Sequence, residues 1–305
     1  MREYGCQNMV GRLRRVIVRR PDEAFAEANP QDWHYNGAPD LERAQAEHRA
    51  FVRILKESGA DVVFHDQPLD GLADAIFTHD SALVTDRGSI VLRMGKALRQ
   101  GEEDAMAELL ATLGVPLLGR LEGEGRAEAG DLMWLDKETL AVGIGFRTNE
   151  EGAAQLRDLL APIGARVVTY DLPVYRGADA CLHLMSMISM VDDDLAVVYP
   201  PLMPVRLLQE LESRRIQLIE TPEDEFLHGQ ATNVLALAPR DVVLLQGNRV
   251  TEKRLRAAGC HVQTYRGDEI TLKAEGGATC LTRPVLRDDT EPALEGNAEA
   301  RRRSA

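Results

Sequence analysis

The stretch ALVTDRGSIVLR, Ala82–Arg93, decides the fold. Two apolar runs, Ala82–Thr85 and Ser89–Arg93, flank Asp86-Arg87-Gly88, a turn of the kind that closes β-hairpins. Residues Glu102–Leu113 then take helical spacing, Gly114 stops them, and an apolar run reaches Leu118. The unit Ala75–Leu118 therefore reads as strand, turn, strand, helix, break, strand. The same order recurs over Asp131–Tyr170, Leu182–Glu220 and Asn233–Tyr265, at a spacing of roughly 50 residues, which is the range of solenoids and propellers. The second of these units turns at Asp136–Thr139, has its helix core at Gln155–Leu160 and closes with Arg166–Tyr170. Later units turn at Asp192-Asp193-Asp194 and at Pro239-Arg240-Asp241. Three successive aspartates suggest a metal site, but between two apolar strands they read as a solvated turn.

The N-terminal unit is incomplete. Its strand Leu13–Val18 (LRRVIV) is followed by a helix that Asp40 caps, with Leu41, Ala44, Phe51, Val52 and Leu55 on one face and Gly59 at its end, before Asp61–His65. The missing strand is supplied by Thr279–Leu286 at the far end of the chain. Pairing the two would close a ring. The expected class is α/β: a five-bladed α/β propeller of ββαβ units with helices outside and the first-strand edges facing a central channel. The segment Asp22–Pro39 looks too irregular for an element of its own and reads as a lid or a long loop. One catalytic domain is predicted over 1–287, with the polar tail 288–305 disordered.

With 305 residues and 44% hydrophobic content the chain can bury a large core. It shows no basic-then-apolar leader and no run of 18 apolar residues, so neither secretion nor membrane spanning is expected and the cytoplasm is the default compartment. A net charge of −13 disfavours a nucleic-acid partner, which would need clustered Lys and Arg. It suits a cationic small substrate, as it suits many plainly acidic proteins. Cys6, Cys181, Cys260 and Cys280 form no C-x-x-C pair, so neither a zinc site nor a disulfide framework is indicated. The seven histidines are spread singly, against the clustered His and Asp of a dimetal ureohydrolase.

Polar residues gather at the strand openings. Cys280 follows Gly276-Gly277, where glycines allow a tight turn or a close approach; a packed apolar thiol is the commoner fate. His183, amid apolar neighbours in Cys181–Ser186, is placed in its unit as Cys280 is, although a lone His on such a strand is often a satisfied core residue. Thiol chemistry wants such a partner to lower the thiol pKa or carry protons. Glu128 and Asp131 precede one strand, and Asp74 and Asp80 precede another. Carboxylates at a closed channel are costly unless a cation meets them, with strand-end capping as the plainer role, favoured for Asp131.

The ordered set FTHD (Phe77–Asp80), KALRQGEE (Lys96–Glu103), EAGD (Glu128–Asp131), GFRTN (Gly145–Asn149), CLHLMS (Cys181–Ser186), TNVLAL (Thr232–Leu237) and GGATCLTRP (Gly276–Pro284) resembles the guanidino-group-modifying, or pentein, superfamily. That superfamily includes dimethylargininases, arginine deiminases and arginine amidinotransferases, and the likeness spans roughly residues 10 to 287. The resemblance implies Cys280 as nucleophile, His183 as general acid and base, and Glu128 and Asp80 as carboxylates on the guanidinium. It also implies Asp74, Arg99 and Arg147 at the amino-acid end of the substrate, Phe77 as a wall, and no metal or organic cofactor. Exposed arginines at loop ends are, on the other hand, commonly just solvated. The departures concern the substrate. Met185 stands two residues after the histidine, where deiminases carry Asp, so HLMS is nearer the HLKS of dimethylargininases. His79 replaces an acidic residue that dimethylargininases place before Asp80, and Thr279 stands where deiminases often have His.

The expected function is hydrolysis of the guanidino group of arginine, a methylated arginine or another guanidino acid to a ureido product. Alternatives are amidino transfer or a propeller-fold binding protein lacking the nucleophile, and pairing of two copies is left open.

Overall fold

A computed structural model describes residues 2–178, 180 and 182–289; Cys181 and the tail from 290 onward lie outside the described residues. The first blade holds β1 (Leu13–Val18), then two one-turn helices, α1 (Glu23–Ala26) and α2 (Pro30–Trp33), the long α3 (Leu41–Glu57) and β2 (Asp61–Phe64). The second runs β3 (Ala82–Thr85), β4 (Gly88–Val91), α4 (Glu102–Thr112), β5 (Leu117–Arg120), and the third β6 (Leu132–Asp136), β7 (Thr139–Ile144), α5 (Glu150–Leu160), β8 (Arg166–Asp171). The fourth is β9 (Ile188–Asp192), β10 (Leu195–Val198), α6 (Val205–Ser213), β11 (Gln217–Glu220). After α7 (Glu223–Gly229) the fifth follows as β12 (Leu235–Ala238), β13 (Asp241–Leu245), α8 (Arg249–Ala257), β14 (His261–Tyr265), and β15 (Arg283–Arg287) ends the series.

These strands form five three-stranded sheets, in each of which the first pair is antiparallel and the second parallel. Closure is as the sequence predicts: β15 pairs antiparallel with β1, Val16 opposite Pro284, while β1 pairs parallel with β2. An edge strand of each sheet, β3, β6, β9, β12 or β15, packs toward the axis, β9 against β12 and β15 against β3. Helix α3 starts where expected, with the Asp40 carboxylate accepting from Arg43 N, and buries Ala44, Phe51, Val52 and Leu55.

The segment Asp22–Pro39 is ordered rather than irregular. Asp22 and Asn29 cap α1 and α2, and Phe25, Trp33 and Tyr35 are buried in the core beside α3. One-turn helices are too short to show a period, so their caps and the aromatic anchors are the signals the sequence carries. The triple aspartate is not simply solvated either: Arg240 grips Asp192 and Asp194, each at 2.6 Å, and Asp192 is buried. Among the described residues no helix is long and apolar enough to cross a membrane.

Candidate active site

The residues just ahead of the axial strands converge. Asp80, His183, Asn233 and Cys280, each from a different blade opening, line one cleft together with Asp74, Phe77, Arg99 and Arg147. The cleft offers ≈ 130 Å³ to the centres of water-sized atoms, enough for a slender side chain. Trp33, Tyr175 and Phe226 stand at its rim, Phe226 stacked on Tyr199 at 3.8 Å between ring centroids.

The Cys280 sulfur receives a hydrogen bond from Asn233 Nδ2 at 3.1 Å, and Asn233 Oδ1 accepts from Thr279 N at 2.9 Å. One amide thus fixes both the thiol and the turn that carries it. Gly276 and Gly277 serve close approach rather than a positive φ: a Cβ on Gly276 would run into the Phe77 ring and one on Gly277 into the Asn233 side chain. Burial, reinforced by Asp80, pushes the thiol up to about 11, against the smaller downward pull of Asn233, the Gly277 backbone and His183. This environment favours the neutral thiol over the thiolate.

His183 Nε2 lies 2.7 Å from Glu128 Oε2. Glu128 is wholly buried, and its other oxygen accepts from Gly95 N at 3.0 Å and Lys96 N at 2.9 Å. Burial alone would raise its pKa, but the hydrogen bond from His183, the charge on that ring and Arg147 hold it far below the ordinary carboxylate range. The imidazole lies flat against Gly130, where any Cβ would collide with the ring. Asp131 is wholly buried and tied to the same region, accepting from Leu184 N at 2.9 Å and Thr148 Oγ1 at 2.7 Å; burial lifts it to about 6. Capping of the next blade's opening accounts for it.

Asp80 Oδ1 accepts from Gly130 N at 2.9 Å and Oδ2 from Arg99 at 2.6 Å. Burial works against its charge, yet Arg99 and His183 outweigh it and lower the pKa. Arg99 is no solvated loop-end arginine. It is 3% exposed and forks onto Glu102 at 2.9 and 2.7 Å while holding Asp80 and the Phe77 carbonyl. Burial raises Glu102 to about 7 in spite of this partner. Arg147, also buried, sits 3.4 Å from both Glu128 oxygens. Asp74 has both oxygens engaged, one by Tyr35 OH at 2.8 Å and one by Lys96 Nζ at 2.6 Å; Lys96 rests on the Trp33 carbonyl and ring face. The segment read as a lid or a loop is therefore latched to the cleft wall.

Sequence reasoning assigned no role to Asn233, Lys96 or Glu102. For Asn233 a signal existed: it precedes β12 as Asp80 precedes β3 and Cys280 precedes β15, so the repeat itself marks it. The fold also gathers what the sequence scatters, since ligand-capable atoms of Asp80, Glu128 and His183 lie within 4.8 Å of one another. Their oxygens and ring nitrogen are already joined to one another, to backbone N–H groups and to Arg99, an arrangement that orients carboxylates toward hydrogen-bond donors.

A sequence model of "N,N dimethylarginine dimethylhydrolase, eukaryotic" matches residues 19–287. The dimethylarginine dimethylaminohydrolase of Streptomyces coelicolor is 28% identical over 283 residues, covering 88% of this chain and 96% of the relative. The solved N-terminal domain of ArgZ, an arginine dihydrolase from Cyanobacteria bound to its product, is 25% identical, with TM-score 0.75, 92% of this chain and 98% of that one covered. The amidinotransferase SxtG of Microseira wollei shares the fold at 17% identity and TM-score 0.80, covering 95% and 99%. Matched through all five blades, the chain belongs to the N,N-dimethylarginine dimethylhydrolase family, hydrolases of the five-bladed pentein propeller.

Proposed function

We propose that the protein hydrolyses the guanidino group of arginine, a methylated arginine or a related guanidino acid, with Cys280 as nucleophile and His183 as general acid and base. The observation that carries this reading is the meeting of Cys280, His183 and Asp80 in one cleft, with Glu128 hydrogen-bonded to His183. A guanidinium stays cationic at neutral pH, and resonance over three nitrogens protects its carbon. Carboxylates that hold its plane keep it protonated and electrophilic. Asp80 has lone pairs left for this beyond the two bonds it already accepts, whereas on Glu128 a guanidinium takes the place of the long 3.4 Å contacts from Arg147.

The raised thiol pKa fits substrate-assisted ionisation. A cation seated beside Cys280 reverses the local electrostatics that Asp80 imposes, and the thiol passes its proton to His183. The sulfur then bonds the guanidinium carbon. The tetrahedral adduct expels ammonia or an alkylamine, which takes its proton from His183, and leaves a covalent thiouronium. Water attacks the same carbon and gives one proton to His183; the C–S bond breaks, the remaining hydroxyl proton passes to the released ammonia or alkylamine as the ureido product forms, and His183 returns its proton to the thiolate. Arg147 and Lys96 are the wall cations offered to a substrate carboxylate, although each is braced by an acid, Glu128 and Asp74, while Arg99 is committed to Asp80 and Glu102. Since Asp74 is shared by Tyr35 and Lys96, Lys96 must yield for a substrate ammonium to reach it.

The test is a panel of arginine, mono- and dimethylarginine and small guanidino acids, with ureido product, ammonia and alkylamine measured. Turnover of at least one member, lost below detection in Cys280→Ser and unchanged by a chelator, is the expected result. A Cys280→Ser variant with full activity would refute the covalent route, and an added amine acceptor that diverts the product would show amidino transfer instead.

A further inference from the structure

A second cavity lies on the propeller axis and shares no lining residue with the catalytic cleft. Each blade contributes to it from its axial strand: Leu83 from β3, Trp134 from β6, Met190 from β9, Ala236 from β12, and Arg283 and Arg287 from β15. The N-terminal segment covers it with Cys6, Asn8 and Met9. About 20 Å³ is open to the centres of water-sized atoms, roughly the room that one or two waters need.

The charge in this space is unusual. Arg283 and Arg287 are 5% and 3% exposed, and among the described residues no carboxylate lies within ion-pair distance of either, Asp80 acting on Arg283 only from farther off. Arg283 gives one nitrogen to the carbonyls of His79 and Ala82, at 2.9 and 2.7 Å, and Arg287 gives one to the Gly11 carbonyl at 2.6 Å. Carbonyl dipoles satisfy donors but do not cancel a net charge, and a buried unpaired cation is expensive. Two further donors have no acceptor: Arg283 Nε and Trp134 Nε1 are both buried without a hydrogen-bond partner. Buried orphan donors are rare in folded proteins. Here they belong to residues lining the same small space as the two guanidiniums. Burial depresses both arginines, Arg283 to about 10, the direction expected where a counter-charge is wanting.

We propose that this axial cavity is a binding site for a small monovalent anion of halide size, held by Arg283, Arg287 and the Trp134 indole N–H. Water offers two lone pairs but no charge, so it leaves the guanidiniums uncompensated. Sulfate and phosphate demand more room than the cavity has. The site is linked to the catalytic turn through a short path: Arg283 holds the His79 carbonyl, and His79 N donates to the Cys280 carbonyl at 3.2 Å. The anion therefore braces the chain on which the nucleophile sits. Cys6 is the internal rival, because its buried thiol lies beside Arg287 and could supply the charge as thiolate.

The test uses the full chain exchanged into gluconate and titrated with chloride or bromide at constant ionic strength. The expected results are a saturable rise in melting temperature of several degrees, an anomalous bromide peak in crystals between Arg283 and Trp134, and saturable iodide quenching of Trp134 fluorescence in Trp33→Phe. Trp134 is then the sole indole, as the chain has two. Trp134→Phe, which keeps the ring body and removes only the N–H, should weaken the chloride response about tenfold. Arg283→Gln should abolish it, and if that variant does not fold, Trp134→Phe decides. A wild-type protein indifferent to halide, with Cys6→Ala acquiring a response, would show the thiolate to be the counter-ion and overturn the proposal. So would bromide density only on the outer surface.

Discussion

Two sites lie along one axis, and the chain enters both within four residues. At Cys280 it lines a cleft where arginines and carboxylates are mutually braced; at Arg283 it lines a cavity whose guanidiniums have no carboxylate within ion-pair distance among the described residues. In the cleft each charge is fixed by at least one opposite charge or by backbone N–H groups, which preorganises the site for a cationic substrate. The cavity keeps its donors, and among the described residues its lining holds no carboxylate, only a Cys6 thiol that burial biases toward the neutral form. The comparison teaches that a few residues of sequence separate the two environments: Asp80, Asn233 and Cys280, just before their strands, line the cleft, while Trp134, Arg283 and Arg287, within theirs, line the axial cavity.

The largest way to break this division is at the imidazole. His183→Ala removes the proton carrier and should lower kcat by about 10²–10⁴, while the halide response of the axial cavity stays as in the parent. Equal loss of both would mean that the two sites are one unit. Alkylation sharpens the contrast next. Only the thiolate reacts with iodoacetamide, and with the thiol pushed up to about 11 its ionised fraction rises roughly tenfold per pH unit. The rate at the Cys280 peptide, followed by mass spectrometry, should climb from pH 7 to 10 without levelling. A plateau by pH 9, as for an ordinary thiol near about 8.5, would contradict the desolvated, Asp80-facing environment.

Gly130→Ala acts on geometry without touching charge. The new methyl displaces the His183 ring, and a misplacement of about 1 Å can cost about 10²-fold in rate; circular dichroism and the halide response should remain native. Smallest is Asp40→Ala, which removes the α3 cap at a cost of about 1 kcal/mol in denaturant unfolding and should leave both sites alone. A fall in kcat in Asp40→Ala would show that α3 positions the cleft.

The sequence exposed the architecture because strand, turn and helix repeat with local signals: Asp86-Arg87-Gly88 marks a hairpin and Asp40 a helix start, and both stand in the structure. Cys280, His183, Glu128 and Asp80 were legible because they break apolar runs at blade openings. Asn233 was missed although the same repeat pointed to it, since an amide before a strand has many uses. Lys96 was hidden because its partner Asp74 comes from another loop, and Glu102, three residues from Arg99, reads as an ordinary first-turn helix acid. The segment Asp22–Pro39 escaped because single-turn helices carry no period. The axial arginines resemble any charge at a strand end until the fifteenth strand closes the ring and buries them.

The central claim is that the Cys280 sulfur bonds the guanidino carbon of a substrate. It is tested most directly by acid-quenching the turning-over enzyme, and its His183→Ala variant, with the best substrate of the panel and sequencing the peptides by mass. The account predicts an adduct on Cys280 alone, heavier by the substrate less the departing amine, and forming more slowly in His183→Ala, where the thiol has lost its proton acceptor. An unmodified Cys280 peptide throughout turnover, or the same mass gain on another residue, would contradict it.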